Sequence, residues 1–448
     1  MAEWLKALVS KTSIRATVSR VQIPLFPSSL KNSVSRVASS QSVSLDAVRI
    51  ESLSGFFKEF RIFKMKLSPV DHLFTGRGAY PINFVFLFRG LVDPSRLESS
   101  LAGAVNLFWP LKSTLQSVGK NSLGFDSSKS AHRFQFSKSV SMPSMDNLAA
   151  LGDFIQSVRS GPGDSLLDVR LTHSDGNSAL GVSASHSVVD GYSYFMFLTA
   201  WSRLFRVESP DSPALDRSVF IHKTYPGAEK FSSDEIFNRT GFSISSEPRP
   251  AEIRIKWKVI DFSKAELDAL YKNASSDLKP RLSLNDVLTA ELWKRFVLEY
   301  QKAGELLTLS CAYDFRRIFP KAGPLYFGNA IRGASFRMNY DEARDLKLGL
   351  LAQKISETVK SIDVSAVESS LQCLESLRLS EGLQTMERFH VADPHKGFLV
   401  TNLSRLPLLG LDFGSGAPVD FRILTPALRT AVILPHSTGL RVQIALAG

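Results

Sequence analysis

The chain has 448 residues, 44% hydrophobic and 22% charged, the balance of a globular protein rather than a disordered one. No apolar run reaches the roughly 18 residues that a membrane-spanning helix needs. The net charge of +11 is uneven: residues 1–45 carry six lysines and arginines against Glu3 alone, and the remainder has no basic run interleaved with aromatics, which argues against nucleic acid as a partner.

Residues 1–60 form a basic, Ser-rich segment whose first 45 residues are nearly free of acid, the composition of an organelle transit peptide. A disordered tail, or a stretch that is not part of the expressed protein, fits it equally, so it is set aside from the fold. The expected location is cytoplasmic, with a plastid or other organelle as the alternative if the segment is a true transit peptide. Cys311 and Cys373 have no CxxC partner, so neither a disulfide framework nor a metal site is expected and the compartment reads as reducing.

The globular pattern begins near "MKLSPVDHLF". "INFVFLFRGLV" (82–92) is aromatic and β-branched, a buried strand. "PSRLESSLAGAVNLFWPL" (94–111) follows as an amphipathic helix with Leu97, Leu101, Val105 and Leu107 on one face and a proline near each end. "DVRLTH" and "ALGVSAS" then flank "SDGNS", an Asp-Gly hairpin signal. The second arm stops at His186. Beyond Gly191 the period changes to 3.6, with Tyr194, Phe197, Leu198, Trp201, Leu204 and Phe205 on one face and Ser193 as the expected N-cap.

Residues 206–250 are rich in Pro, Ser and charge and read as a crossover linker. Strand "IRIKWKVIDFS" and helix "LSLNDVLTAELWKRFVLEY" resume the alternation, the helix with Leu284, Leu288, Leu292 and Phe296 every four residues. No internal repeat is visible. The expected organisation is therefore two α/β domains, 61–205 and 251–448, joined by that linker.

"SASHSVVDGYSY" raises the chemical question. Of the eight histidines only His186 has an Asp four residues later, Asp190, followed at once by Gly191. A polar turn explains such a spacing as readily as a catalytic pair does. The position at a strand end and the adjacent glycine, which permits a sharp turn and clears space beside the imidazole, favour a general base. There is no G-x-S-x-G elbow, no phosphate-cradling loop and no H-E-x-x-H helix. A base without an enzyme nucleophile or a metal suggests direct transfer between two bound substrates.

The chain resembles the plant-type BAHD acyltransferases over most of residues 65–448. "ASHSVVDGYS" is similar to that family's H-x-x-x-D-G segment, and "RLPLLGLDFGSG" (405–416) to its R-L-P…D-F-G-W-G signature. "LSLNDVLTAELWK", "YFGNAI" (326–331) and "AVILPHSTGLRVQIAL" match in the same order. The resemblance implies two chloramphenicol-acetyltransferase-like domains with a substrate channel at their interface and His186 at its centre. It implies transfer of an acyl group from acyl-CoA to an alcohol or amine acceptor in a ternary complex, of the kind found in secondary metabolism. Acyl-CoA is then the cosubstrate, with no resident cofactor and a monomer as the expected state.

Under the same resemblance Thr401 in "VTNLSRLP" is the candidate oxyanion donor, with an ordinary strand threonine as the alternative. Asp190 turns away from the channel to pair with an arginine, Arg316 or its neighbour Arg317, and shapes the loop. Asp412, Gly414 and Gly416 are architectural, Asp412 through an ion pair or a cap. Two positions depart from the pattern: Ser415 replaces the usual aromatic, and Leu403 stands where many members carry Trp. A carrier-protein-dependent or condensation-type enzyme is the nearest rival, although Ser185 stands where such enzymes carry a second His. A non-catalytic binding protein of the same fold is the other.

Overall fold

The computed structural model describes residues 64–128, 130–142, 144–221, 230–275 and 282–448, so the expectations for residues 1–60 lie outside the described residues. The aromatic run becomes β1 (Pro81–Arg89), buried along almost its whole length because both of its faces are covered. It joins β2 (Arg133–Lys138), β3 (Leu167–Ser174) and β4 (Asn177–Ser185) in the order β1-β4-β3-β2. The hairpin signal holds in a tighter form than the sequence suggests. Only Asp175 and Gly176 separate β3 from β4, and both have positive φ, 50° and 72°, which twists the turn to match its strands.

A second sheet is built from β5 (Ile255–Ser263), β6 (Leu306–Asp314), β7 (Ile331–Asn339) and β8 (Gly397–Asn402). β9 (Asp420–Ile423) then leaves it and adds antiparallel to the free edge of β1, so the first sheet gains a strand from the far end of the chain. β10 (Thr430–His436) and β11 (Gly439–Ala447) return to complete the second sheet in the order β7-β6-β8-β10-β11-β5. Gln443 on β11 fastens the crossing: its side-chain amide exchanges hydrogen bonds with the main chain of Ile423.

Helix α1 (Pro94–Leu107) starts at an Asp93 cap, whose carboxylate accepts from the Ser95 and Arg96 amides, and buries Leu97, Leu101 and Val105. Leu107 is half-buried at the helix end. Helix α2 (Gly191–Phe205) packs against α1 and the first sheet through Phe195, Phe197, Leu198 and Trp201. Each such side chain contributes about 1.5–3 kcal/mol on burial. The N-cap of α2 is Asp190 rather than Ser193: the Asp190 carboxylate accepts from the Ser193 amide at 2.9 Å, so Ser193 sits inside the first turn. Helix α3 (Leu284–Tyr300) carries a capping box of Ser283 and Asp286 and packs on the second sheet through Leu288, Leu292 and Phe296. Leu284, the first residue of that row, is exposed at the helix start.

The halves interlock. Leu408, Leu411, Phe413 and Phe421 from the C-terminal half lie in the core of the first sheet. The crossover is also more than a tether. It carries a helix, Ser233–Thr240, and a short strand, Ser243–Ile244, and it buries Arg217 and Arg249. Arg249 donates to the carbonyls of Leu73, Thr75 and Phe389, binding the start of the fold to its C-terminal half. No helix among the described residues is long and apolar enough to cross a membrane.

Candidate active site

β4 ends in Ser183 and Ser185, and the chain turns at His186 before α2 begins. The imidazole lies flat on Phe74, with ring centroids 3.7 Å apart and planes 11° from parallel. Tyr80 meets it edge-on at 5.7 Å. Protein encloses the ring except where it opens on a cleft. This burial pushes its pKa down to about 4, against the opposing pull of its own carbonyl, Asp190 and Asn329. His186 is therefore neutral near neutral pH, with one lone pair available as a base.

The Nδ1 side of the ring faces Asn329 Oδ1 at 3.2 Å. The same amide donates from Nδ2 to the His186 carbonyl at 2.7 Å and to Asp71 Oδ1 at 2.8 Å. Nε2 is then the ring nitrogen left for the cleft. In sequence the stretch containing Asn329 reads only as a family match, and the one containing Asp71 only as the start of the globular pattern. A local signal for Asp71 existed, because Ser68 and Asp71 form a capping box on the short helix Pro69–His72, just before Phe74.

Asp190 does not touch the imidazole. Its carboxylate takes both arms of the Arg316 guanidinium, at 2.8 and 2.9 Å, together with the amides of Ser193 and Ala330. Burial works to raise its pKa, but the Arg316 guanidinium beside it holds the carboxyl below the usual range. Arg316 is the buried partner, and Arg317 is exposed. Arg316 also donates to the carbonyls of Tyr326 and Gly328, so the pair fixes the "YFGNAI" segment as well as the loop after His186.

The cleft at His186 is about 860 Å³ and mostly apolar, lined by Tyr80, Gly191, Trp257, Thr401 and Leu403 among others. Thr401 lies on β8, paired with Val432 of β10, and so reaches the cleft from the second sheet. A further cavity of about 650 Å³ adjoins it and shares Phe74, Tyr80, Phe242 and Val391 as lining residues. Gly191 needs a different explanation from the expected sharp turn. It is the first residue of α2 and has no positive φ. A Cβ there would lie 3.0 Å from Leu403 Cδ2, so any larger residue would push the leucine end aside by a few tenths of an ångström.

Asp412, Gly414 and Gly416 stand outside the cleft lining. Asp412 makes a cap: its Oδ1 accepts from the Gly414 and Gly416 amides at 2.8 and 3.0 Å. Both glycines have φ near +80°, 86° and 80°, which suits them to this turn. Phe413 anchors the loop in the first core, edge to face with Phe88 and Phe205. Ser415, in place of an aromatic, leaves that anchor intact. Among the described residues no group of three or more His, Cys, Asp or Glu is placed to hold a metal ion.

Comparison with known proteins gives a consistent result. Hydroxycinnamoyl-CoA:5-hydroxyanthranilate N-hydroxycinnamoyltransferase HHT1 of Avena sativa is 27% identical over 355 residues, 73% of this chain and 77% of that protein. TRI101 of F. graminearum, solved with coenzyme A and T-2 mycotoxin, superposes with a TM-score of 0.69 at 17% identity over 86% of this chain and 95% of its own. Vinorine synthase does so with a TM-score of 0.62 at 20% identity, over 86% and 90%. The mixed α/β fold is thus the two-domain, chloramphenicol-acetyltransferase-like one. The transferase family profile matches residues 141–447, more than half the chain, and the protein belongs to that family, the BAHD acyltransferases.

Proposed function

We propose that the protein transfers an acyl group from an acyl-CoA thioester to a hydroxyl or amine acceptor, with His186 as general base and both substrates bound in the channel. The observation that carries this reading is a neutral, enclosed imidazole whose Nδ1 is occupied and which opens on an apolar cleft shared with Thr401. Nε2 takes the proton of the acceptor O–H or N–H as its lone pair attacks the thioester carbon. The carbonyl π electrons move onto oxygen, and the Thr401 hydroxyl donates to that oxyanion. Collapse of the tetrahedral intermediate re-forms the carbonyl and expels the coenzyme A sulfur, which takes the proton from the imidazolium. Asp190 and Arg316 hold the loop, the Asp190 carboxylate being taken up by the Arg316 guanidinium and two main-chain amides.

The names and contents of the relatives support this reading: a hydroxycinnamoyl-CoA transferase acting on an anthranilate nitrogen, and a crystal complex with coenzyme A and a mycotoxin. Acyl-CoA is a cosubstrate here, and the mechanism calls on no metal or resident cofactor. The cleft suits an apolar acyl chain or ring, with Leu403 beside Gly191 and Trp257 also in its lining.

The test is a screen for free coenzyme A release with a panel of acyl-CoA donors crossed with alcohols and amines. Acceptor-dependent release by the wild type, absent in His186→Ala, supports the assignment. Undiminished release by that variant overturns it. The carrier-protein alternative predicts turnover only with a pantetheinyl-protein thioester. Ser185, where such enzymes carry a second His, is bound between the hydroxyls of Ser160 and Ser187.

A further inference from the structure

The imidazole of a general base has two neutral tautomers, and only the one with its proton on Nδ1 offers a lone pair at Nε2. We propose that Asp71 and Asn329 together are the positioning pair that selects this tautomer of His186, a task that the H-x-x-x-D spacing alone would assign to Asp190. The proposal rests on the general-base reading of His186.

Asn329 Nδ2 donates to two oxygens, Asp71 Oδ1 at 2.8 Å and the His186 carbonyl at 2.7 Å. Both are acceptors only, so the amide has one tenable orientation. Turning it over would set its oxygen against a carboxylate and a carbonyl and forfeit both bonds. In the observed orientation Oδ1 faces His186 Nδ1 at 3.2 Å and can only accept, so the nitrogen opposite it carries the proton.

Asp71 is itself held through both carboxylate oxygens. Its Oδ1 also accepts from the Asn329 main-chain amide at 3.2 Å. Its Oδ2 accepts from the Ser68 amide at 3.0 Å and from Arg217 Nε at 3.3 Å, and both members of the ion pair are fully buried. Arg217 continues to the carbonyls of Phe327 and Val188, the second of which lies in the loop after His186. Residues 327–330 are thus held from one side by Asp71 and Arg217 and from the other by Asp190 and Arg316, with Asn329 between. One buried pair shapes the loop; the other, through Asn329, orients the ring. The His186 carbonyl is a competing acceptor for the Nδ1 proton, and the experiment must separate the two.

The test reads the ring directly. Protein labelled with ¹⁵N-histidine is examined by long-range proton–nitrogen correlation without substrate, with His186→Ala identifying the signals. The wild type is expected to show a neutral ring protonated on Nδ1. Asn329→Ala is expected to shift it toward the other tautomer and lower kcat for coenzyme A release on the order of tenfold or more, with KM for acyl-CoA unchanged. A wild-type ring protonated on Nε2 overturns the proposal, even if the variant fails to fold. A folded Asn329→Ala whose ring still carries the proton on Nδ1 overturns it too, and leaves the His186 carbonyl as the selecting acceptor. The tautomer is read without turnover, so failure of acyl transfer by the wild type would defeat the functional reading while this result still stands or falls by itself.

Discussion

The loops His186–Gly191 and Asp412–Gly416 look alike in sequence, each short, with one aspartate and at least one glycine. In the fold their acids work over different ranges. Asp190 is buried, and its carboxylate reaches Arg316 and Ala330, 126 and 140 residues away. The Asp412 carboxylate accepts from amides two and four residues ahead, while its main chain is bound by Ser202 of α2 and Arg206 just beyond it, and its loop is anchored by Phe413. One acid is itself a junction between distant segments; the other stays within its own turn and leaves the long-range contacts to the main chain and the neighbouring aromatic. A motif's spelling therefore says little about whether its acid is local or global, and mutation should separate the two cases.

The largest expected effect belongs to His186→Ala, which should lower kcat/KM for coenzyme A release by about 10²–10⁴-fold with an unchanged thermal midpoint. A matching loss of stability would make the first loop merely structural. Asp190→Ala should reverse that pattern, costing about 3 kcal/mol in denaturant unfolding because Arg316 loses its buried carboxylate and keeps only the more exposed Asp314. Normal stability in this variant would erase the contrast with Asp412. Thr401→Val should reduce kcat by about 10²-fold with little change in KM or unfolding midpoint, as loss of one oxyanion donor predicts. The smallest effect is expected for Asp412→Ala, about 1 kcal/mol of stability and no change in kcat, since only amide hydrogen bonds in an exposed turn are lost.

Acid should sharpen the contrast between ordinary and enclosed histidines. Burial pushes His72 down to about 3 and His186 down to about 4, from 6.5. For both, the folded pKa lies below the unfolded one, so the unfolded state binds more protons in that interval. Their contribution to stability is fully present above about pH 6.5 and declines as the pH falls toward 4. Unfolding free energies measured across this range should show the slope, and His72→Phe should flatten part of it. For the same reason the acid limb of kcat/KM should lie near pH 4 rather than 6.5.

The sequence made the position of His186 legible because an Asp-Gly turn and a switch from strand to helix period bracket it. It also offered Asp190 with Arg316, through a family likeness rather than any local pattern. Ser193 was misread because Ser and Asp are equally good caps, and only the backbone shows that Asp190 already caps the helix. The crossover reads as a tether from its Pro and Ser content, yet Arg217 and Arg249 are buried there, satisfied largely by carbonyls that no local pattern reveals. Asn329 and Asp71 escaped for a related reason. They are 258 residues apart, and their meaning arises only where β7, the short helix before Phe74 and the end of β4 converge.

The path of β9 has a consequence for how the chain can be divided. The outer edge of β1 from Phe84 to Leu87 finds its partner only when residues 420–423 arrive, and Phe421 and Ile423 complete the core beneath it. Until then the first sheet presents an aromatic, unpaired strand edge, the kind of surface on which chains aggregate. A fragment ending in the crossover should therefore be sticky rather than a small folded domain. A truncation before Asp420 should damage the half of the molecule made first. The first sheet is a clasp closed by residues 420–423, and the outer edge of β1 is covered only once that distant strand has been made.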